Sequence, residues 1–249
     1  MFRKYVAVFV VSIFGCGAIP VLSQAGTHDS LSPDIRYCLG LFSPVKDPRF
    51  VSLSSVGVPT RDKGLLLRSE AASALKRMID SFRSEHPQVK VWVQSATRNF
   101  DAQKGIWNKK WRSSQFSKFT DPVSRARAIL AFSSMPGTSR HHWGSDVDLN
   151  VLENGYYDHG EGKILLEWLE KNASRFGFAR PYTAGRKSGY NEERWHWSYL
   201  PVAHECFAVW LKFYDANPSF FTRKDLFEGS TVAGHWVRDY VTSINPECQ

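Results

Sequence analysis

The stretch Ser139-Arg140-His141-His142-Trp143-Gly144-Ser145-Asp146-Val147-Asp148-Leu149-Asn150-Val151 decides how this chain is read. From 145 to 151 it alternates as an extended strand, with Val147, Leu149 and Val151 on one side and Asp146, Asp148 and Asn150 on the other. A strand with one apolar face and one carboxylate-bearing face lies between a core and a cleft. The first half follows a break at Met135-Pro136-Gly137-Thr138 and is the densest polar group in the sequence.

Working outward, Ser69 and Glu70 open a helix whose Leu75, Met78, Ile79 and Phe82 share a face, and Pro87 marks its end. Residues 89–94 alternate as a strand, and 100–116 and 122–132 have helical spacing. Downstream, Ile164, Leu165, Trp168 and Leu169 predict a helix over 163–176, with Gly177 as its C-terminal cap. The polar stretch 182–191, with Gly185 and Gly189, reads as a mobile loop able to act as a lid. Residues 193–199 form an aromatic-rich strand, and 204–214 and 237–244 supply closing helices. Residues 26–68, rich in Ser, Pro and Gly without a period, read as an irregular lead-in packed over a single domain at 69–249. Without regular βαβ alternation, this mixture predicts an α+β fold.

Arg3 and Lys4 precede an apolar run ending near Ile19, and Ser23-Gln24-Ala25 offers small residues for processing. The expectation is export to the periplasm or the exterior, with cleavage after Ala25. The apolar run is shorter than the roughly 20 residues of a membrane-spanning helix, so no stable membrane insertion is expected after cleavage. Lipid attachment at Cys16 ranks below simple cleavage because bulky Phe14 fits poorly beside it. Processing would leave Cys38, Cys206 and Cys248, for which one bridge and one free thiol is the simplest outcome. Three pairings are open, with Cys206–Cys248 preferred.

The 32 Lys and Arg against 24 Asp and Glu give a net charge of +8. Such a surface suits polyanions, and export makes nucleic acid the poorest partner and a wall polymer the best. The densest basic group, Lys109-Lys110-Trp111-Arg112, lies on the helix over 100–116 and reads as a solvated face.

Four residues could build a hydrolytic metal centre. His141, Asp148 and His196 would be ligands, leaving one tetrahedral position for water, and Glu193 would be the base. Adjacent His142 competes with His141 for the ligand role. On a straight strand Glu193 and His196 would face opposite ways, so a turn-like step between them is required.

Residues 139–148 resemble the Ser-x-His-x-x-Gly-x-Ala-x-Asp signature of the D-alanyl-D-alanine metallocarboxypeptidases, the family of the vancomycin-resistance D,D-carboxypeptidases and dipeptidases. Glu193-Arg194-Trp195-His196 resembles its second signature, Glu-x-Trp-His, and Ser95-Ala96-Thr97-Arg98 with Gln103 resembles its strand-end arginine segment. The resemblance implies one Zn2+ held by His141, Asp148 and His196, catalysis by Glu193 and Arg98, and substrate contacts from Ser139, Arg98 and Gln103. It also implies a small antiparallel sheet carrying the zinc, flanked by helices, as in lysostaphin-type and hedgehog amino-terminal domains.

The implied activity is D,D-carboxypeptidase action on peptidoglycan stem peptides. Alternatives are a D-Ala-D-Ala dipeptidase, a cross-link endopeptidase and a non-catalytic zinc module that binds wall or protein. Two residues depart from the pattern. Asp146 stands in place of Ala, adding charge near the metal or bonding to a ligand, and Thr97 replaces the usual Tyr.

Overall fold

The computed structural model describes residues 31–249, so the expected signal segment, its cleavage point after Ala25 and Cys16 lie outside the described residues. Helix α1 (Pro33–Cys38) is capped by the Ser32 side chain and carries Pro at its first position. A hairpin of β1 (Phe50–Ser52) and β2 (Leu66–Arg68) follows. The segment expected to be irregular therefore holds a helix and two strands; they are too short to show a period. Helix α2 (Ser69–Glu85) buries Leu75, Met78, Ile79 and Phe82, as their spacing predicts.

Strand β3 (Val93–Ser95) starts later than the alternation suggests, although Val89, Val91 and Val93 are all buried. Helices α3 (Phe100–Arg112), α4 (Ser114–Ser117) and α5 (Pro122–Leu130) follow, with Ser113 breaking the single helix expected over 100–116. Strand β4 (Asp146–Leu149) is shorter than the expected 145–151 because Asn150 adopts φ 50°, a left-handed conformation that Asn tolerates. Its side chain then accepts from Trp92 N and donates to Lys90 O, tying off the strand end.

Helix α6 (Gly160–Asn172) passes through a 3-10 turn to Gly177, which caps it at φ 81°. Strands β5 (Phe178–Ala179) and β6 (His196–Tyr199) and helices α7 (Leu200–Ala216), α8 (Ser230–Ala233) and α9 (Val237–Thr242) complete the chain. No helix among the described residues is long and apolar enough to cross a membrane.

The main sheet is antiparallel in the order β3-β4-β6-β5, giving the α+β class expected from the sequence. One face, with Val93, Val147, Leu149 and Trp197, packs with α2 and α6 into one core. A second core gathers residues of α1, α3, α5 and α7 around Trp107, Trp143 and Trp210. Each of these indoles donates to a backbone carbonyl, at Glu228, Cys38 and Gly137 respectively, so the rings are buried without stranding a polar group.

The cysteine expectation is corrected. Cys206 on α7 lies 2.9 Å, sulfur to sulfur, from Cys38 on α1, and Cys248 is buried elsewhere; all three are free thiols here. The lid expectation also gives way. Tyr182 and Tyr190 at the ends of that loop are buried, and Arg186 donates to the carbonyls of Thr183, Tyr190 and Ser243.

Gly144 shows why the signature needs glycine before β4. It sits at φ 71°, and a Cβ there would lie 2.6 Å from Phe50 and 2.8 Å from Arg68. Gly144→Ala should therefore destabilise the fold by about 2 kcal/mol, from left-handed strain and the clash together. Chemical denaturation would check this; an unchanged midpoint would contradict it.

Candidate metal centre

Register builds the site. In the β4–β6 ladder Asp148 pairs with His196 and Asp146 with Ser198, so four polar side chains share the face turned away from the α2–α6 core. The ladder shifts register between Val93, opposite Leu149, and Ser95, opposite Asp148, and such an irregularity re-aims side chains. The 3-10 turn Arg140–Trp143 delivers His141 from the loop before β4. Glu193 enters by the turn-like step required of it, with residues 194 and 195 in a turn and His196 N within 3.5 Å of Glu193 O.

His141, Asp148 and His196 are all buried, and one donor atom from each lies within 4.8 Å of the others. His141 Nε2 is 3.2 Å from Asp148 Oδ2, and His196 Nδ1 is 3.1 Å from Asp148 Oδ1. Close as it is, Asp148 Oδ1 accepts no aligned hydrogen bond, which is the state expected of an atom aimed at a shared point. Tetrahedral ligands about 2.0–2.1 Å from one ion stand about 3.3 Å apart, so the donor set fits a single divalent metal.

The surroundings fix each imidazole. His141 Nδ1 lies 2.8 Å from the Ala96 carbonyl, which can only accept, so the proton is on Nδ1 and the Nε2 lone pair faces the cluster. His196 is reversed, since its Nε2 lies 2.9 Å from Asp146 Oδ1 and therefore donates, leaving Nδ1 for the metal. Burial, reinforced by the Arg98 charge, holds His141 below the usual histidine range. Burial opposes the charge on His196, but the carboxylates of Asp146, Asp148 and Glu193 overcome it and hold the group well above that range.

Asp146, the departure from the family pattern, takes the second of the two roles open to it. It accepts from His196, from Arg140 Nε at 3.0 Å, from Ser198 Oγ at 3.0 Å and from Ser145 Oγ. Burial alone would raise its pKa, yet Arg140 and His196 hold it well below the carboxylate range. Buried Arg140 in turn donates to Ser198 Oγ and lies over the Trp143 ring.

Glu193 is buried with Oε2 3.4 Å from His196 Nδ1. Burial, with the nearby Asp148 charge, holds its pKa above the usual glutamate value against the pull of His196 and Arg98. It opens on a cavity of about 660 Å³ whose wall includes Arg98, Gln103, Lys110, Tyr182 and the three candidate ligands. Arg98 lies 3.7 Å from Asp148 Oδ2 and donates to Ser95 Oγ and Gln103 Oε1. Tyr182 packs its ring 4.8 Å from that of His196.

The remaining expected residues behave differently. Gln103 is buried, accepting from Arg98 and donating to Ser134 O at 2.7 Å, so both ends of its amide are engaged in protein bonds. Ser139 is fully buried outside the cavity wall, and its Oγ has no hydrogen-bond partner. His142 resolves the ambiguity of the adjacent histidines. It donates to Arg98 O at 2.6 Å and accepts from Gly137 N at 3.0 Å, and burial holds its pKa at about 3. It is a neutral brace for the Arg98 segment. Lys110 and Tyr182 were missed as wall residues; only the helical spacing of Lys110 from Gln103 signals its place.

Residues 64–202, more than half of the chain, match the family model for VanY D-alanyl-D-alanine carboxypeptidases. A D-alanyl-D-alanine carboxypeptidase of Enterococcus faecalis is 31% identical over 112 residues, covering 44% of this chain and 40% of that protein. Over the curated relatives it matches, the chain spans between 40% and 60% of their length. The LdcB LD-carboxypeptidase structure shares the fold at a TM-score of 0.51 and 19% identity, covering 82% of this chain and 81% of that one. A VanY D,D-pentapeptidase from a VanB-type resistance cassette, solved in complex with Zn(II), aligns at 26% identity and a TM-score of 0.47 over 62% of this chain and 83% of that one. With the family match spanning both signatures and every residue of the His-Asp-His cluster, this chain belongs to the VanY D-alanyl-D-alanine carboxypeptidase family.

Proposed function

We propose that the chain is a zinc-dependent D,D-carboxypeptidase that removes the terminal D-alanine from peptidoglycan stem peptides. The observation that carries this reading is the placement of Glu193, a buried carboxylate beside the His141–Asp148–His196 donor set and open to the cavity. A binding module needs donors but no base. Here a carboxyl with a raised pKa lies beside the donor set and faces the cavity, within reach of a water held there, which favours catalysis over the non-catalytic alternative.

Zinc, when bound by His141 Nε2, Asp148 and His196 Nδ1, supplies a Lewis acid that polarises the carbonyl and acidifies water. Glu193 takes a proton from the attacking water and passes it to the departing D-alanine amine, a double duty suited to a carboxylate tuned upward by burial. Arg98, pinned by Ser95 and Gln103, presents a fixed positive charge to the carbonyl oxygen as negative charge develops there. Gln103 acts through Arg98 as a positioning residue, and Ser139 reaches substrate only if its loop shifts. Export follows from the basic-then-apolar composition of residues 1–25, and it brings the enzyme to the compartment where its polymer lies.

Glu193→Ala should retain one zinc per chain yet lose at least about 100-fold in turnover of a D-Ala-D-Ala peptide, whereas His196→Ala should lose both metal and activity. Metal analysis beside mass spectrometry of muropeptide products reads this, and near-normal turnover by Glu193→Ala would contradict the assignment. Release of intact D-Ala-D-Ala, or cutting within cross-links, would point to the dipeptidase or the endopeptidase instead. Asp146→Ala should weaken zinc binding by roughly 10- to 100-fold in chelator competition, since it frees the His196 ring. An unchanged affinity would show that Asp146 does not orient the ligand.

A further inference from the structure

The proposed hydrolysis leaves Lys110 without a task. Gln103, Ile106 and Lys110 lie three and four residues apart on α3, which turns all three toward the same cavity. At a rise of 1.5 Å per residue, Lys110 stands about 10 Å along the helix from Gln103. The cavity wall has two basic side chains besides the histidines, Arg98 and Lys110. Arg98 is already held among Ser95, Gln103 and Asp148.

Lys110 is not. It is half-buried, and its ammonium donates to Ser133 Oγ, while among the described residues no carboxylate forms an ion pair with it. Burial pulls its pKa down, and the negative charge of Glu193 pulls it back. Partial desolvation of an ammonium without a counter-ion is unfavourable, and an entering anion offsets that cost. Ser133 is buried beside it, and having accepted from Lys110 its hydroxyl keeps a proton to donate. Lys110 and Ser133 together thus offer two donors suited to one carboxylate. Neighbouring Lys109 is exposed and Arg112 pairs with Glu228, so this is a property of the one lysine that faces inward.

We propose that Lys110, with Ser133, anchors the free terminal carboxylate of the peptide substrate and so commits the site to trimming chain ends. This rests on the D,D-carboxypeptidase reading and adds the residue that would enforce it. A peptide whose terminal carboxyl is masked would cover Lys110 without supplying a counter-ion, which disfavours internal bonds.

The test compares an N-blocked peptide ending in D-Ala-D-Ala with its C-terminal amide, on the zinc-loaded wild type, Lys110→Met and Lys110→Arg. The wild type should prefer the acid, and the acid-to-amide ratio of kcat/KM should fall by roughly 10- to 100-fold in Lys110→Met, the scale of a charge-assisted hydrogen bond. Lys110→Arg should restore most of the ratio. Both peptides are read on the same protein, so a folding defect lowers both rates and leaves the ratio alone. Equal loss on acid and amide would overturn the proposal, placing Lys110 behind Glu193 or in the fold. Equal cleavage of both peptides by the wild type would overturn it as well. If the wild type cleaves neither, the D,D-carboxypeptidase reading itself falls, and this proposal falls with it.

Discussion

Asp148 faces His196 across β4 and β6, and a slip of one residue in either strand would turn its side chain to the apolar face of the sheet and split the pair. That register is held from the other side, where Val147 and Leu149 of β4 and Trp197 of β6 are buried against α2 and α6. Hydrophobic burial, which has no directional chemistry, thus fixes the placement of a directional donor set. His141 and Glu193 come from outside the ladder, each on a short turn that packs onto it.

The cost of gathering charge in a buried space is met locally. Asp146 accepts four hydrogen bonds, one of them from the imidazole whose other nitrogen faces the candidate metal position. Arg140 neutralises Asp146 and is itself satisfied by Ser198 and the Trp143 face. A buried pair of this kind adds little net stability, because desolvation offsets the attraction, but removing one partner strands the other. The Arg140–Asp146 pair therefore reads as a device for orienting His196, present where the family pattern carries alanine.

Much of the site was legible in two short signatures that resemble the family's, with local spacing as independent support. The alternation of Asp146, Val147, Asp148 and Leu149 marks a two-faced strand, and the spacing of Glu193 to His196 demands the turn that is observed. What stayed hidden depends on contacts distant in sequence. Nothing near His142 says that it braces Arg98 and Gly137, and nothing near Cys206 points to Cys38, 168 residues away. The lead-in at 26–68 seemed irregular because its elements are too brief for periodicity, although Tyr37, Cys38 and Leu39 are buried. Lys110 was hidden in a run of basic residues, since composition does not tell an outward lysine from one turned into a cavity.

The central claim is that one metal ion is held by His141, Asp148 and His196, with the nitrogen chosen on each ring by its outer hydrogen bond. Anomalous diffraction at the zinc edge from crystals of the zinc-loaded protein tests it directly. The account predicts one peak per chain at this site, bonded to His141 Nε2, His196 Nδ1 and an Asp148 oxygen, with Asp146 still on His196 Nε2. A peak coordinated by His142 or by Asp146, or none between β4 and β6, would contradict it.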